Sequence, residues 1–317
     1  MIPILKNIIG RRSYQYLLLK LAVFVLIAFI LDFVVGSLFS HFYFKQTSGW
    51  EYRTKYSVED TRADILIFGA SRAQQQYNPV FFEERLHQTC YNVGRDGEPF
   101  FYHYGVLQGV LNRYKPKVII LDMENGVFIE DQSSYDRLAA LLPFYNRHPE
   151  MRSLIEMRGP FEKYKLLSKI YPYNSLVFKI ALGNTEYNKK RNEDIKGYVP
   201  LDRALDEPIR TIELSNKYPI DSNKVNLFES FLDECKKENI KIYLVCSPYY
   251  INPKGSDTSM VLAKKIARQR SIDFFDFSRD EEFLKTPGFF DDTVHVNFAG
   301  SKVFSNKLLD SIILKSR

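Results

Sequence analysis

Short apolar runs at residues 64–67, 90–93, 117–121, 241–246 and 273–277 limit the fold more than any other feature of this chain. The segments 99–114, 222–239, 258–270 and 297–315 carry apolar residues at helical spacing instead. Strands that alternate with helices imply βαβ units, and parallel strands buried on both faces read as continuous apolar runs. The expected architecture is therefore α/β: a three-layer, flavodoxin-like domain with a parallel five-stranded sheet. A hydrophobic content of 45% supplies the core that such a sheet needs and argues against disorder. No internal repeat or low-complexity segment interrupts the pattern.

Residues 17–39 form a second constraint. They are apolar and long enough to cross a bilayer as a helix, which takes about 20 residues. A cleaved signal peptide is the rival reading; its apolar region would be shorter, and no good small-x-small site precedes a polar segment. An uncleaved anchor is the expectation. Lys6, Arg11, Arg12 and Lys20 precede or begin the span with no acid among them. That bias places residues 1–16 in the cytoplasm and the main domain outside it, periplasmic or at the cell surface. Asp32 is the one acid in the span, and either lies near the outer headgroups or meets a polytopic membrane partner. Residues 40–63 read as a polar, aromatic-bearing stem before a domain over 64–317.

The charge and the cysteines exclude some classes. Four of the cations sit before residue 21, which leaves the remainder only mildly basic and without the concentrated face of a nucleic-acid binder. Cys90, Cys235 and Cys246 fit neither a disulfide framework nor a metal-ligand spacing, and no His/Asp cluster has ligand spacing. No metal or other cofactor is expected. One interval breaks the βα rhythm: residues 126–221 form an insertion between the third and fourth strands, far longer than a normal crossover. Its aromatic and basic residues suit a cap that stacks on sugars or meets phosphates. They equally suit a second small core.

Chemistry enters at Phe68-Gly69-Ala70-Ser71, a small-residue turn at the end of the first strand. Open α/β sheets present reactive groups at the carboxyl ends of their strands. Ser71 is the candidate nucleophile. Of five histidines, His295 has a carboxylate three residues before it, Asp292, at the start of the final helix. That spacing lets Asp292 hold the imidazole in the tautomer that a base requires. The plain alternatives are a helix-capping serine, a loop acid and a buried hydrogen-bonded histidine. Arg72, next to the nucleophile, is a candidate for reading an anionic substrate group or simply solvates the rim. Gln74-Gln75-Gln76 reads as a polar loop.

Gly69-Ala70-Ser71 after the first strand, Asp292-x-x-His295 and the following Gly300 resemble the SGNH (GDSL-like) hydrolase superfamily. Asn92-Val-Gly-Arg-Asp-Gly97-Glu98 is similar to the family block whose late glycine gives a backbone N–H to the oxyanion hole, which matches Gly97. Asn125 stands where the family carries the asparagine of Gly-x-Asn-Asp, although Met123 and Gly126 replace the flanking glycine and aspartate. The resemblance thus implies an oxyanion hole of Ser71, Gly97 and Asn125. It covers roughly residues 64–125 and 240–315 and leaves the insertion unaccounted for.

With the anchor, the layout resembles the SGNH-type proteins of teichoic acid D-alanylation and alginate O-acetylation, which work beside membrane-bound O-acyltransferases. It implies a serine esterase or O-acyltransferase that moves acyl groups, acetyl above all, on an extracytoplasmic polysaccharide or envelope polymer. The partners implied are the membrane, such a glycan and a polytopic membrane-bound O-acyltransferase. The rival class is a catalytically inactive glycan-binding or assembly subunit that kept the fold. A lipid-modifying esterase is a third reading.

Overall fold

The computed structural model describes residues 2–191, 194–214 and 218–315. Residue 1 of the expected N-terminal tail, residues 192–193 and 215–217 of the expected insertion, and residues 316–317 lie outside the described set. Five strands form the central sheet: β1 Ile65–Phe68, β2 Cys90–Asn92, β3 Val118–Asp122, β4 Lys241–Cys246 and β5 Asp273–Asp276. They pair in the order β2-β1-β3-β4-β5, every neighbour parallel. Each strand lies within a residue of its apolar run in the sequence.

The chain leaves β1 for β2 on one side and then crosses to β3 on the other. The crevice beyond β1 and β3 is therefore the topological switch point of the sheet, where open α/β folds place their ligands. Alternation along the strands builds a core on each face. Leu66, Phe68, Ile119, Leu121 and Leu244 face one layer of helices. Ile65, Ile67, Ile120 and Val245 face the other.

Seven longer or site-forming helices matter here: α1 Ile2–Lys45, α2 Ser71–Gln76, α3 Pro79–Leu86, α4 Phe100–Arg113, α5 Ser222–Lys237, α6 Thr258–Gln269 and α7 Phe298–Lys315. Helices α4, α5 and α6 cover the first face through Val106, Phe231 and Ile266. The second face is covered by α3 and α7 through Phe82, Phe304 and Leu308. The Gln74–Gln76 stretch reads as a loop in the sequence, yet it lies in α2, which begins at Ser71 itself.

The insertion does not form a core of its own. Its short helical turns send Leu138, Leu141, Phe144, Leu154 and Tyr173 into the same core as α4. Its later part adds one parallel two-stranded ladder, Arg210–Glu213 with Ile251–Lys254. The expected stem is likewise structural. Helix α1 runs on to Lys45, and a helix at Gly49–Lys55 and a π-helical turn at Tyr56–Asp60 follow. Tyr43 and Val58 are buried in the main core, so the end of α1 packs into the domain. Tyr14–Lys45 is long and apolar enough to span a membrane.

Asp32 of α1 is answered from within the chain. Its carboxylate accepts hydrogen bonds from the Ser168 hydroxyl and from the Lys169 N–H at 2.7 Å and the Ile170 N–H at 3.3 Å, all in the insertion.

A buried histidine on α4 ties stability to pH. His103 lies 3.2 Å from the Glu98 carbonyl through Nε2, its Nδ1 has no partner among the described residues, and burial pushes its pKa down from 6.5 to about 4. Below 6.5 the unfolded chain takes up a proton that the folded chain refuses, so stability held above that pH is lost as pH falls toward 4. The loss is on the order of 3 kcal/mol. Urea midpoints measured across that window are expected to fall less steeply for His103→Gln than for the parent; parallel slopes would remove His103 from this role.

Candidate active site

Three side chains expected to act together meet at the switch point. Ser71 is the first residue of α2, directly after the β1 turn. His295 Nε2 lies 2.8 Å from Ser71 Oγ, and His295 Nδ1 lies 2.8 Å from Asp292 Oδ2. A carboxylate can only accept, so Nδ1 carries the proton and Nε2 is left to accept from the serine hydroxyl. Asp292 also takes the Val294 N–H at 2.8 Å and the His295 N–H at 2.9 Å on Oδ1. Partial burial works against its charge. The bond to His295 and the two backbone N–H groups outweigh it and hold the Asp292 carboxyl below the usual aspartate range.

The turn before Ser71 depends on Gly69. Its φ is +139°, and a Cβ there would sit 2.8 Å from Ala73 Cβ and 3.0 Å from Asp122 Cβ. Only glycine takes that backbone at so close an approach. Two buried polar side chains then fix α2. Asn92, at the end of β2, donates to the carbonyls of Ala73 at 2.7 Å and Tyr77 at 2.9 Å. Asp122, at the end of β3, accepts from Arg72 Nη2 at 2.8 Å, the Tyr77 hydroxyl at 2.5 Å and the Ser247 N–H at 3.2 Å.

Arg72 is consequently committed inside the protein. It is 2% exposed, also donates to the Met123 carbonyl at 2.8 Å, and stacks on the Tyr249 ring at 4.1 Å. Burial alone would lower its pKa; the Asp122 charge more than offsets this and holds the guanidinium well above its ordinary value. A side chain so enclosed serves the position of Ser71 rather than the rim role considered from sequence.

Gly97 has φ +72° in the turn after β2, and that turn is tied to the serine turn by the Arg95 N–H on the Gly69 carbonyl at 3.0 Å. The exposed Arg137 of the insertion lies against it, 2.9 Å from where a Gly97 Cβ would be. Asn125 follows β3, donates its backbone N–H to the Tyr249 hydroxyl at 3.2 Å, and lines a cavity of about 290 Å³ with Ile251 and Met260. Among the described residues, neither Gly97 nor Asn125 shares a hydrogen bond with Ser71, His295 or Asp292. No group of three or more His, Cys, Asp or Glu suited to a metal occurs among the described residues.

Sequence reasoning missed the groups that hold the site together. Asp122 ends an apolar run, the sort of position where a charge demands a partner. Gln76 reads as loop polarity in the sequence, yet its amide donates to the Val294 carbonyl at 2.8 Å and links α2 to the histidine loop. Asn297 caps α7 through Gly300 N–H at 3.0 Å and donates to the Arg203 and Gly288 carbonyls at 2.8 and 2.7 Å. Glu124, next to Asn125, carries a raised pKa. Burial is the main cause; the Asp122 charge adds to it, and Arg72 and His295 oppose it.

A serine hydroxyl bonded to an imidazole that a carboxylate orients is the constellation of nucleophilic acyl chemistry. No protein-family model matches the chain, and no curated protein matches it by sequence. Among solved structures it is similar to a protein from Bacteroides fragilis provisionally described as an acylhydrolase. The identity is 14% and the TM-score 0.42, over 86% of this chain and 100% of the other. It is also similar to the acetyl xylan esterase AlAXEase, at 13% identity and a TM-score of 0.39, over 78% and 99% of the two chains. At these values neither similarity bears on the chemistry, which rests on the geometry above.

Truncating Arg72 leaves the Asp122 carboxylate buried without its cation, a change that costs about 3–5 kcal/mol. Arg72→Ala is expected to lower the thermal midpoint by many degrees, with any loss of activity following unfolding. A folded, fully stable Arg72→Ala chain whose KM alone rises would restore the substrate role.

Proposed function

We propose that this chain is a membrane-anchored SGNH-type serine esterase or O-acyltransferase acting on acyl esters of an extracytoplasmic polymer. The observation that carries this reading is the continuous relay Ser71 Oγ, His295 Nε2, His295 Nδ1, Asp292 Oδ2, with 2.8 Å at each hydrogen bond. That spacing lies within the reach a general base needs.

In the first half-reaction, Ser71 Oγ attacks an acyl carbonyl while its proton passes to His295 Nε2. Asp292 stabilises the imidazolium that results. The negative charge on the carbonyl oxygen requires donors already in place. Ser71 supplies one as the first residue of a helix, where backbone N–H groups lack intrahelical partners. The Gly97 N–H and the Asn125 side-chain amide are assigned as the others. Collapse breaks the bond to the leaving alkoxide, which takes the proton from His295 and departs. In the second half-reaction a sugar hydroxyl or water gives its proton to His295 and attacks the acyl-serine carbonyl; collapse breaks the bond to Ser71 Oγ, which leaves with the proton from His295, and the acyl group departs on the attacking oxygen.

The helix Tyr14–Lys45 supports anchoring. The basic residues before it favour a cytoplasmic N-terminus and an extracytoplasmic domain. In that setting a polytopic membrane-bound O-acyltransferase is the partner that would deliver acyl groups, and the acceptor is a glycan or envelope polymer.

The test uses the full chain in detergent, since Tyr43 of α1 belongs to the domain core. A serine-directed phosphonate is expected to label Ser71 in the parent, as read by mass spectrometry of the peptide, and to leave Ser71→Ala and His295→Ala unlabelled. Asp292→Asn is expected to cut p-nitrophenyl acetate turnover by about 10⁴-fold through the wrong tautomer. A folded parent that neither labels nor turns over would point instead to the non-catalytic subunit.

A further inference from the structure

The anchor and the insertion meet at one level, and that level carries an apolar edge that the proposed chemistry does not use. On α1, every residue from Tyr14 to Leu31 is exposed all round the helix. From Asp32 onward a stripe formed by Asp32, Val35, Gly36, Phe39 and Tyr43 is partly or fully covered, the i, i+3, i+4, i+7 pattern of a packed helix face. Counted back from Asp32, the about 20 residues that cross a bilayer end at the basic pair Arg11-Arg12. The hydrocarbon boundary then falls at Asp32.

What covers Asp32 is the end of a turn in the insertion. Ser168, Lys169 and Ile170 donate to its carboxylate. Gly36 permits the approach, since a Cβ there would lie 2.3 Å from the Lys169 carbonyl carbon. Immediately before this contact stand Phe161, Tyr164 and Leu167, exposed by 67%, 67% and 77%. The turn contains a short α-helix, Glu162–Lys165: the Phe161 carbonyl accepts from the Tyr164 and Lys165 N–H groups, the Glu162 carbonyl from Leu166 N–H and the Tyr164 carbonyl from Leu167 N–H. Residues three apart are neighbours on a helix surface, so Phe161 and Tyr164, and Tyr164 and Leu167, adjoin on one side of the turn. Nor is the edge loose. Glu162, 1% exposed, receives the Tyr171 hydroxyl at 2.6 Å and Arg158 at 2.8 Å from beneath. The turn's lysines, Lys163 and Lys165, are exposed, which suits the headgroup level.

We infer that the 161–167 turn is a second membrane contact: its Phe161–Tyr164–Leu167 edge inserts at the boundary between headgroups and acyl chains of the leaflet that α1 leaves at Asp32. The inference rests on the anchored reading of α1 and adds to it. A helix alone leaves a domain free to tilt, whereas a helix with a lateral foot fixes it. The catalytic crevice is then held at one height and orientation over the membrane, as a domain receiving acyl groups from a membrane-embedded source requires.

The experiment places a single tryptophan in the full chain, on a Trp50→Phe background, in nanodiscs of phosphatidylcholine and phosphatidylglycerol whose acyl chains are brominated near the headgroup or near the chain end. Phe24→Trp reports on the anchor, and Leu167→Trp and Tyr164→Trp report on the foot. The expected result is a roughly twofold loss of emission for Leu167→Trp with bromine near the headgroup and a smaller loss with bromine at the chain end, as for an interfacial side chain. Phe24→Trp is expected to be quenched most by the deep bromines. Quenching of Phe24→Trp without quenching of either foot variant overturns the inference and leaves the anchor intact. Shielding of both foot variants from bromine and from aqueous iodide would identify a protein cover, which also overturns it. Absence of quenching at Phe24→Trp would remove the anchor, and the foot with it.

Discussion

The carboxylate of Asp122 ends the central strand β3 inside the protein, at 7% exposure, and much of the site follows from how it is answered. A buried charge that lacks a partner destabilises a fold by several kcal/mol, while a buried pair contributes little net stability against an apolar alternative. Such a pair is better read as a device of position. Here the answering cation is Arg72, and its chain neighbour is Ser71. Tyr77 and the Ser247 N–H complete the carboxylate's partners, so one side chain locks the end of β3, the end of β4 and both flanks of α2. The hydroxyl that faces His295 is thereby placed by a buried ion pair.

The other half of the site is held by backbone hydrogen bonds. Asp292 takes two N–H groups of its own loop as well as the imidazole, which makes the loop and the acid a single rigid unit. Gln76 and Ser301 bridge this unit to α2, through the Val294 carbonyl and the Gln76 carbonyl, each at 2.8 Å. Ser71 and His295 are 224 positions apart in the chain. Closing so long a loop costs only modestly more than closing a short one, so local bridges of this kind suffice to keep the two ends in register.

The stem reaches the same region from behind. Arg95, two residues before Gly97, pairs with Glu51 of the stem helix at 3.3 Å and with Glu98 at 3.5 Å, and donates to Thr54. Its own N–H holds the Gly69 carbonyl. The end of helix α1, the stem and the turn assigned to the oxyanion thus pack together. The insertion packs with them too: its apolar residues extend the core over α4, and its 168–170 segment grips α1 at Asp32.

Periodicity determined the sheet. Five apolar runs at βα spacing leave few alternatives to a parallel layered domain, because each strand must bury both faces and each helix one. The sequence also determined Ser71, His295 and Asp292 as a candidate set, since a small-residue turn after a strand and an acid three residues before a histidine are local signals. Tertiary structure alone decided what those residues rest on. Asp122, Asn92 and Gln76 are answered by segments distant in the chain, by Arg72 and Tyr77, by the Ala73 and Tyr77 carbonyls and by the Val294 carbonyl, so the sequence marks the polar residue without marking its partner. Tertiary structure also decided that Arg72 faces inward, and that the insertion and stem share the main core. A hydropathy pattern states that a segment must be buried; which surface buries it is fixed by the shape of everything else.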